Sequence, residues 1–358
     1  MILMLSHPER NRKETRVENE LDYDWSEDQI LEMIKRTKET KAENWLNDGL
    51  PKLVDGIMEN YEKYGNIQHL EGEDLPSKHT VIEILEDLMT ILFPGYAGET
   101  EIAKSNTRYF LGNALHSIYD RLTGEVDKSL KYVCRRVKEC PEDICLNRAQ
   151  VVVEELLERI PEIRIVLRGD IQAAYDGDPA ARNIDEVILS YPCVQAIATY
   201  RIAHELYIRG VPLVPRIMAE YAHSKTGIDI HPGARIGRDF FIDHGTGVVI
   251  GETAEIGDCV KIYQGVTLGA LSFPKDEEGR LIKGKKRHPS VGNNVVVYSG
   301  ATILGGETKV GDDAVIGGNV WITSSIPAGT QVTIVPPELR YKDLNHRKSS
   351  GNSAPSHN

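Results

Sequence analysis

The sequence predicts an α + β protein with an N-terminal all-helical domain followed by a C-terminal left-handed parallel β-helix of hexapeptide repeats. Two observations support this fold class. Of the 31 glycines, 19 fall between Gly227 and Gly329 and only 11 precede that segment. At the same point the helical spacing of apolar residues stops and a six-residue period begins. We expect the helical domain over 1–225 with 1–25 flexible, the β-helix over 226–335, and a disordered tail over 336–358.

Helical signals run through the N-terminal part of the chain. Ser26 and Gln29 form a capping box ahead of apolar residues at helical spacing. The segment 80–93 continues this spacing, with apolar residues three and four apart, and Pro94-Gly95 follows as a stop signal. Further helices are expected over 111–137, 151–160 and 194–208.

Past Gly227, aliphatic residues recur with a period that is neither 3.6 nor two, so an ordinary helix or hairpin does not explain them. Nine of the twelve steps between them are of six residues. Each hexapeptide predicts a short strand and a corner, and three of them make a triangular coil of about 18 residues. We expect these aliphatic side chains to point inward and to stack: Ile230, Ile236, Ile242, Ile250, Ile256, Ile262, Leu268, Val291, Val297, Ile303, Val310, Ile316 and Ile322.

The repeat is interrupted three times. After Ile242, Leu268 and Ile303 the step lengthens to eight, 23 and seven residues. The first interruption contains His244 and the second contains His288. Because departures from regularity cost stability in a solenoid, and insertions collect on the binding face, these two histidines are candidate functional residues.

Histidine can take a proton from a hydroxyl near pH 7, provided that a partner holds its ring in one tautomer. Asp229 precedes His244 by 15 residues, so the two are expected on neighbouring coils and within side-chain reach. A general base with a carboxylate beside it is therefore one interpretation of this spacing, and a solvated histidine in a glycine-rich loop is the other.

Composition excludes several classes of function. The net charge of −12 argues against general binding to nucleic acid or to anionic membranes. The sequence contains no run of about 18 apolar residues, the length that a membrane-spanning helix needs. The N-terminus has no signal-peptide core, and five cysteines without a CxxC pair are typical of a reducing compartment. We expect a cytoplasmic protein.

Several motifs, taken in order, resemble the serine O-acetyltransferase family. The resemblance covers roughly residues 160–335, and the set is far more specific than any single hexapeptide. The matching segments are RGDIQ at 168–172, GDPA at 177–180, YRIAH at 200–204, GIDIHP at 227–232, IDHGTGVVIGET at 242–253, QGVTLG at 264–269 and RHP at 287–289.

The resemblance implies transfer of an acetyl group from acetyl-CoA to the hydroxyl of L-serine, as a step of cysteine biosynthesis. By family position, His244 is the general base with Asp229 as its orienting partner, and His288 assists at the substrate hydroxyl. Arg287 pairs with the serine carboxylate, and Asp178 and Asp243 hold its ammonium group. These residue types suit a zwitterionic substrate, because arginine can grip a carboxylate with two parallel hydrogen bonds.

The resemblance also implies how the co-substrate and the subunits are arranged. Acetyl-CoA is expected along a groove between adjacent β-helices, near the backbone of Gly269, Ala270, Ser299 and Gly318, with no permanently bound cofactor and no metal. A homotrimer or hexamer is expected, with sites between subunits. Many relatives end in an isoleucine that docks into cysteine synthase; since this chain ends Ser-His-Asn, we do not expect that complex.

Other functions stay open on the sequence alone. A hexapeptide acyltransferase could use a different hydroxy or amino acceptor. A β-helical zinc lyase would bind its metal through histidines of adjacent coils, here His231, His244 and His288. A β-helix used only for assembly would have no turnover.

Overall fold

The computed structural model describes residues 25–39, 45–70, 75–98, 102–135, 141–272, 275–282, 284–335, 338 and 340–342. Of the segments expected to be flexible (1–25) and disordered (336–358), residues 1–24, 336, 337, 339 and 343–358 lie outside the described residues. The chain divides into two compact units, Met1–Glu71 and Gly72–Asn358. No α-helix in the described ranges is both long enough and apolar enough to cross a membrane.

The first unit is helical. Its capping box is confirmed, because the Ser26 N–H donates to Gln29 Oε1 at 2.8 Å and the Gln29 N–H donates to Ser26 Oγ at 3.3 Å. Its elements are α1 (Glu27–Glu39), a π-helix (Trp45–Gly49), α2 (Leu50–Lys63) and a 3₁₀ turn (Gly65–Ile67).

The second unit begins with further helices. The expected helices over 80–93, 111–137 and 194–208 correspond to the first, second and fifth of them. They are α3 (Lys78–Leu92), α4 (Thr107–Cys134), α5 (Glu142–Gly177), α6 (Ile184–Ser190), α7 (Pro192–Ile208) and α8 (Val214–Thr226), with a 3₁₀ turn at Lys104–Asn106.

The helix expected over 151–160 is wrong in extent. It belongs to α5, which runs through Pro161 without stopping. The apolar stripe continues past the proline, because Ile163, Leu167 and Ile171 are all buried in the core. Tertiary packing of this stripe therefore outweighs the local tendency of proline to end a helix.

The strands that follow are two or three residues long. They pair in parallel into three sheets: sheet 1 is β1-β4-β7-β10-β13, sheet 2 is β2-β5-β8-β11, and sheet 3 is β3-β6-β9-β12-β14. The strands are β1 (Asp229–Ile230), β2 (Arg235–Ile236), β3 (Phe241–Asp243), β4 (Val249–Ile250), β5 (Glu255–Ile256), β6 (Lys261–Tyr263), β7 (Thr267–Gly269), β8 (Ser290–Val291), β9 (Val296–Val297), β10 (Thr302–Leu304), β11 (Lys309–Val310), β12 (Val315–Ile316), β13 (Trp321–Ile322) and β14 (Gln331–Val332).

The register confirms the inward stack that the period predicts. In sheet 1, Ile230 pairs with Ile250, Ile250 with Leu268, and Leu268 with Ile303, and all four are buried. The expected helical region followed by a left-handed parallel β-helix is confirmed. From β1 to β13, successive strands visit sheets 1, 2 and 3 in turn, so each coil has three corners.

Glycines at the corner between sheets 2 and 3 allow the coils to stack closely. A Cβ on Gly237 would lie 2.6 Å from the carbonyl carbon of Gly257 on the next coil, which is closer than any real side chain approaches. Any residue with a Cβ would therefore collide with the next coil at this position.

Three of the helices pack on the first coil of the β-helix. α5 and α7 contact β3, while α7 and α8 contact β1. The helix α8 ends at Gly227, whose φ is +70°, and β1 begins two residues later. This packing places the end of α5 beside the end of β3, where the first group of candidate residues lies. The domain boundaries expected from the sequence stay a prediction.

Candidate functional site at two corners of the β-helix

Asp178, Asp243, His244 and Lys261 form a group that we call the acidic corner, where sheet 3 turns into sheet 1. Asp243 is the buried last residue of β3; its Oδ2 lies 3.3 Å from Lys261 Nζ and its Oδ1 lies 3.8 Å from His244 Nε2. Asp178 is the C-cap residue of α5, and it interacts electrostatically with both Lys261 and His244. Two of the expected substrate-binding carboxylates and the expected base are thus brought together.

Asp178 is held in place by its own hydrogen bonds. It accepts from the Tyr191 hydroxyl and, through Oδ1, from the Ala180 N–H at 2.8 Å. These bonds, that of Tyr191 first, hold the pKa of Asp178 below its ordinary value, so this carboxylate is ionised at neutral pH. Sequence reasoning predicts a packing role for Tyr191, because nothing in its local pattern indicates contact with a site residue.

His244 is presented to solvent by a strained backbone. Its φ is +58°, a left-handed conformation that residues other than glycine adopt rarely, and its side chain is 73% exposed. Gly245 follows, where a Cβ would lie 2.5 Å from the Ile228 side chain. A similar φ also occurs at regular corners, for example at Asp239 and Asn319, so the extra residues of the first interruption are not its cause.

His231, Glu252, Arg287 and His288 form a second group, the arginine corner, where sheet 1 turns into sheet 2. Arg287 donates to Glu252, which also accepts from the Tyr207 hydroxyl at 2.6 Å. The guanidinium is therefore oriented from one side and retains further donors for a ligand. Glu252 is a residue that sequence reasoning passed over, although it stands in the motif at 242–253.

The His288 ring is fixed in one tautomer. Its Nδ1 accepts from the Thr253 N–H at 3.1 Å and lies 2.8 Å from the Thr253 hydroxyl. Burial, and next the charge of Arg287, lower the pKa of His288 to about 4, so the ring is neutral at pH 7. A neutral ring whose Nδ1 accepts must carry its proton on Nε2, which makes Nε2 a hydrogen-bond donor.

His231 repeats this arrangement on the preceding coil. Its Nδ1 accepts from the Gly233 N–H at 3.0 Å, and burial first of all lowers its pKa to about 4. The arginine corner therefore offers two neutral imidazole donors beside one guanidinium, a set suited to an anion or to a developing negative charge.

Asp229 lies on the outward side of β1, apart from His244. Burial raises its pKa, and its charged neighbours are Glu220, His223 and Arg216 of α8. Within a single chain the structure forms no hydrogen bond or ion pair between Asp229 and His244, both of which are among the described residues. The expected pairing of base and orienter thus stays a prediction, and its partners are not assembled by one chain.

The histidines proposed for the zinc alternative are likewise separated, since His244 lies at the acidic corner whereas His231 and His288 lie at the arginine corner. In the described part of the chain, the side chains close enough to share a metal ion are Glu220, His223 and Asp229, with ligand atoms within 4.8 Å of one another. The trio of His231, His244 and His288 is not assembled in one chain.

The residues expected to contact acetyl-CoA lie along the two edges of sheet 1. Ser299 and Gly318 are neighbours at the edge that carries the acidic corner, where a Cβ on Gly318 would lie 3.1 Å from the Ser299 carbonyl oxygen. Gly269 and Ala270 lie at the opposite edge, at the end of β7. All four are partly exposed, so their backbone groups are accessible from outside the coil.

Comparisons with known proteins identify relatives of this chain. No protein-family model matches the chain. The chain is 49% identical over 261 residues to a plasmid-encoded serine acetyltransferase of Synechococcus elongatus, covering 72% of this chain and 82% of that protein. It is also 49% identical over 173 residues to the serine acetyltransferase of Mycobacterium tuberculosis, covering 48% and 71% of the two chains.

Solved structures with similar folds carry the same name. Serine acetyltransferase 1 of Entamoeba histolytica in complex with L-cysteine has a TM-score of 0.60 and 37% identity, over 76% of this chain and 95% of that one. Isoform 3 from the same organism, in complex with cysteine, has a TM-score of 0.58 and 36% identity, over 74% and 85%.

Proposed function

The chain belongs to the serine acetyltransferase family and is an acyltransferase, and we propose that it transfers acetyl from acetyl-CoA to the hydroxyl of L-serine, giving O-acetyl-L-serine and CoA. The observation that carries this proposal is the pair of oppositely charged corners. The acidic corner suits an ammonium group and the arginine corner suits a carboxylate, so together they match the two ends of a zwitterion.

The two corners flank sheet 1 from opposite edges, and a single chain does not close them around one ligand. We propose that the site forms between two copies of the chain in a homotrimer, with the acidic corner of one copy facing the arginine corner of the next. A cyclic trimer repeats this contact three times. Asp229 would then reach the His244 ring of a neighbouring copy, which supplies the pairing that one chain lacks.

In this site Asp178 and Asp243 hold the ammonium of L-serine, and Arg287 holds its carboxylate. His288 donates its Nε2–H to the serine hydroxyl oxygen and so fixes the position of the nucleophile. His244 removes the hydroxyl proton as the oxygen attacks the thioester carbonyl of acetyl-CoA, while Asp229 stabilises the resulting imidazolium. Collapse of the tetrahedral oxyanion breaks the C–S bond, and the departing CoA sulfur takes the proton back from His244.

Acetyl-CoA is a co-substrate in this proposal and not a resident group. Gly269 and Ala270 of one copy, with Ser299 and Gly318 of the next, would offer backbone groups to its extended chain. The small side chains at these four positions support this placement, because they let a ligand approach the backbone closely.

A steady-state assay of acetyl-CoA consumption with L-serine tests the proposal. His244→Ala is expected to reduce kcat by about 10²–10⁴-fold, which is the usual contribution of a general base. His116→Ala, which removes an imidazole that is exposed on α4, serves as the matched control and is expected to retain full activity. Full activity in His244→Ala would remove His244 from the mechanism, and a wild-type protein inert toward L-serine would overturn the function.

A further inference from the structure

Lys261 is the lysine of the acidic corner and lies on the second coil of the β-helix. It is the first residue of β6 and pairs in register with Phe241 on the preceding coil. Its side chain is 19% exposed, and Nζ lies 5.0 Å from the centre of the Phe241 ring and 4.6 Å from that of the Tyr263 ring. A lysine on the outward side of a short solenoid strand is ordinarily solvated, so this enclosure needs a reason.

The Lys261 ammonium joins two elements that carry the ammonium-binding carboxylates. It donates to the Gly177 carbonyl oxygen at 2.6 Å, directly before Asp178, and lies 3.3 Å from Asp243 Oδ2. Gly177 has no room for a side chain, because a Cβ there would lie 2.9 Å from the Phe241 ring. The end of α5 is therefore drawn against the β-helix, with one cation at the junction.

The charges at this point favour such a cation. Two carboxylates that share a site repel each other unless a positive charge lies close by. Burial alone would lower the pKa of Lys261, but Tyr263 and Asp243 raise it above its ordinary value, so the side chain is charged. Lys261 occupies Asp243 Oδ2, whereas Oδ1 faces His244 and is the oxygen available to a substrate.

We propose that Lys261 is a positioning residue for recognition of the substrate amino group: it holds Asp178 and Asp243 at a fixed separation and turns Asp243 Oδ1 toward the acceptor. This inference deepens the proposed function and rests on it. It assigns Lys261 no contact with the reacting atoms, so its effect should fall on binding of the ammonium group and not on the chemical step.

The test compares Lys261→Met with the wild type, and Lys309→Met serves as the matched control because Lys309 is an exposed lysine that likewise opens a strand, β11. We expect the KM for L-serine to rise about tenfold, the usual effect of losing a hydrogen bond to a charged group. The KM for acetyl-CoA and kcat should stay within a factor of about two, the level expected where no contact with the reacting atoms is lost.

A competitive inhibitor separates positioning from general damage. 3-Hydroxypropanoate keeps the hydroxyl and carboxylate of serine but lacks the ammonium, so its inhibition constant should be the same in Lys261→Met and in the wild type. An equal rise in both constants, or no change in either, would overturn the inference. Should the Met variant fail to fold, Lys261→Gln, which keeps a donor for Gly177 but no charge, is expected to give the same split.

The two proposals fail in different ways. A wild-type protein without turnover of L-serine overturns the proposed function and this inference with it. The role of Lys261 alone is overturned by a different result. In that case the wild type turns over L-serine, but the ratio of the KM for L-serine to the inhibition constant of 3-hydroxypropanoate is the same in Lys261→Met as in the wild type.

Discussion

Complementation between two inactive variants would decide whether the site is shared between subunits. His244→Ala removes the proposed base from the acidic corner, and Arg287→Ala removes the carboxylate ligand from the arginine corner. Each homotrimer should be nearly inactive. In a ring that contains both kinds of subunit, however, one contact joins an intact acidic corner to an intact arginine corner, a second joins two damaged corners, and the third joins two copies of the same variant.

The expected recovery follows from this count. Co-expression with two different affinity tags, followed by purification on both, selects mixed trimers that have about one third of the wild-type sites intact. We therefore expect about one third of the wild-type kcat per trimer, with the wild-type KM for L-serine, since the restored sites are complete. Light scattering on the purified sample checks that it is trimeric.

A mixed trimer as inactive as its parents would refute the shared site. If both corners of a single chain served one ligand, every site would carry one of the two substitutions, and mixing would restore nothing. A matched control combines His244→Ala with Asp243→Asn. Both lie in the acidic corner, so every contact in the mixed ring keeps a damaged acidic corner, and we expect no recovery.

Two further predictions concern the surroundings of His288. Gly251→Ala places a Cβ 2.1 Å from His288 Cδ2, so the ring must move. We expect the free energy of unfolding, measured by urea denaturation, to fall by about 1–3 kcal/mol. Gly124→Ala, which adds a Cβ in open space on α4, should cause no loss. Because the pKa of His288 is about 4 in the fold against 6.5 for an ordinary histidine, the unfolded chain gains a proton first, and stability should fall by up to about 3 kcal/mol between pH 6.5 and 4. His288→Gln should remove this contribution and leave that of His231, whose pKa is likewise about 4, whereas His116→Gln should leave both in place.

The β-helix could be predicted from the sequence because its cause is local and repeats. Each inward aliphatic side chain stacks on a counterpart fixed by the same spacing, so Ile230, Ile250 and Leu268 pair as the period requires. The extent of α5 could not be predicted in this way. Its continuation through Pro161 depends on burial of side chains against other helices, which a local pattern does not contain.

The candidate residues could be selected from the sequence, but their grouping could not. His244 and His288 both lie in interruptions of the same six-residue period, which indicates that they share one face of the β-helix. In the structure they lie at two different corners of the triangular coil. The sequence offers no signal for Lys261, because any polar residue fits the outward position of a hexapeptide. Its contacts with Asp243 and with the Gly177 carbonyl, 84 positions earlier, distinguish it from a solvated lysine.

Each corner is organised before any neighbouring copy arrives, and this bears on how a shared site can be efficient. The Thr253 N–H fixes the tautomer of His288, Glu252 orients Arg287, and Tyr191 holds Asp178, all through contacts within one chain. Assembly therefore does not have to order these side chains, and the energy of association is not consumed in arranging them. In the proposed shared site, the remaining step is the approach of Asp229 of one copy to His244 of the next. Because the His244 side chain is 73% exposed in a single chain, ordering of this ring is the entropy cost that remains when its partner carboxylate arrives.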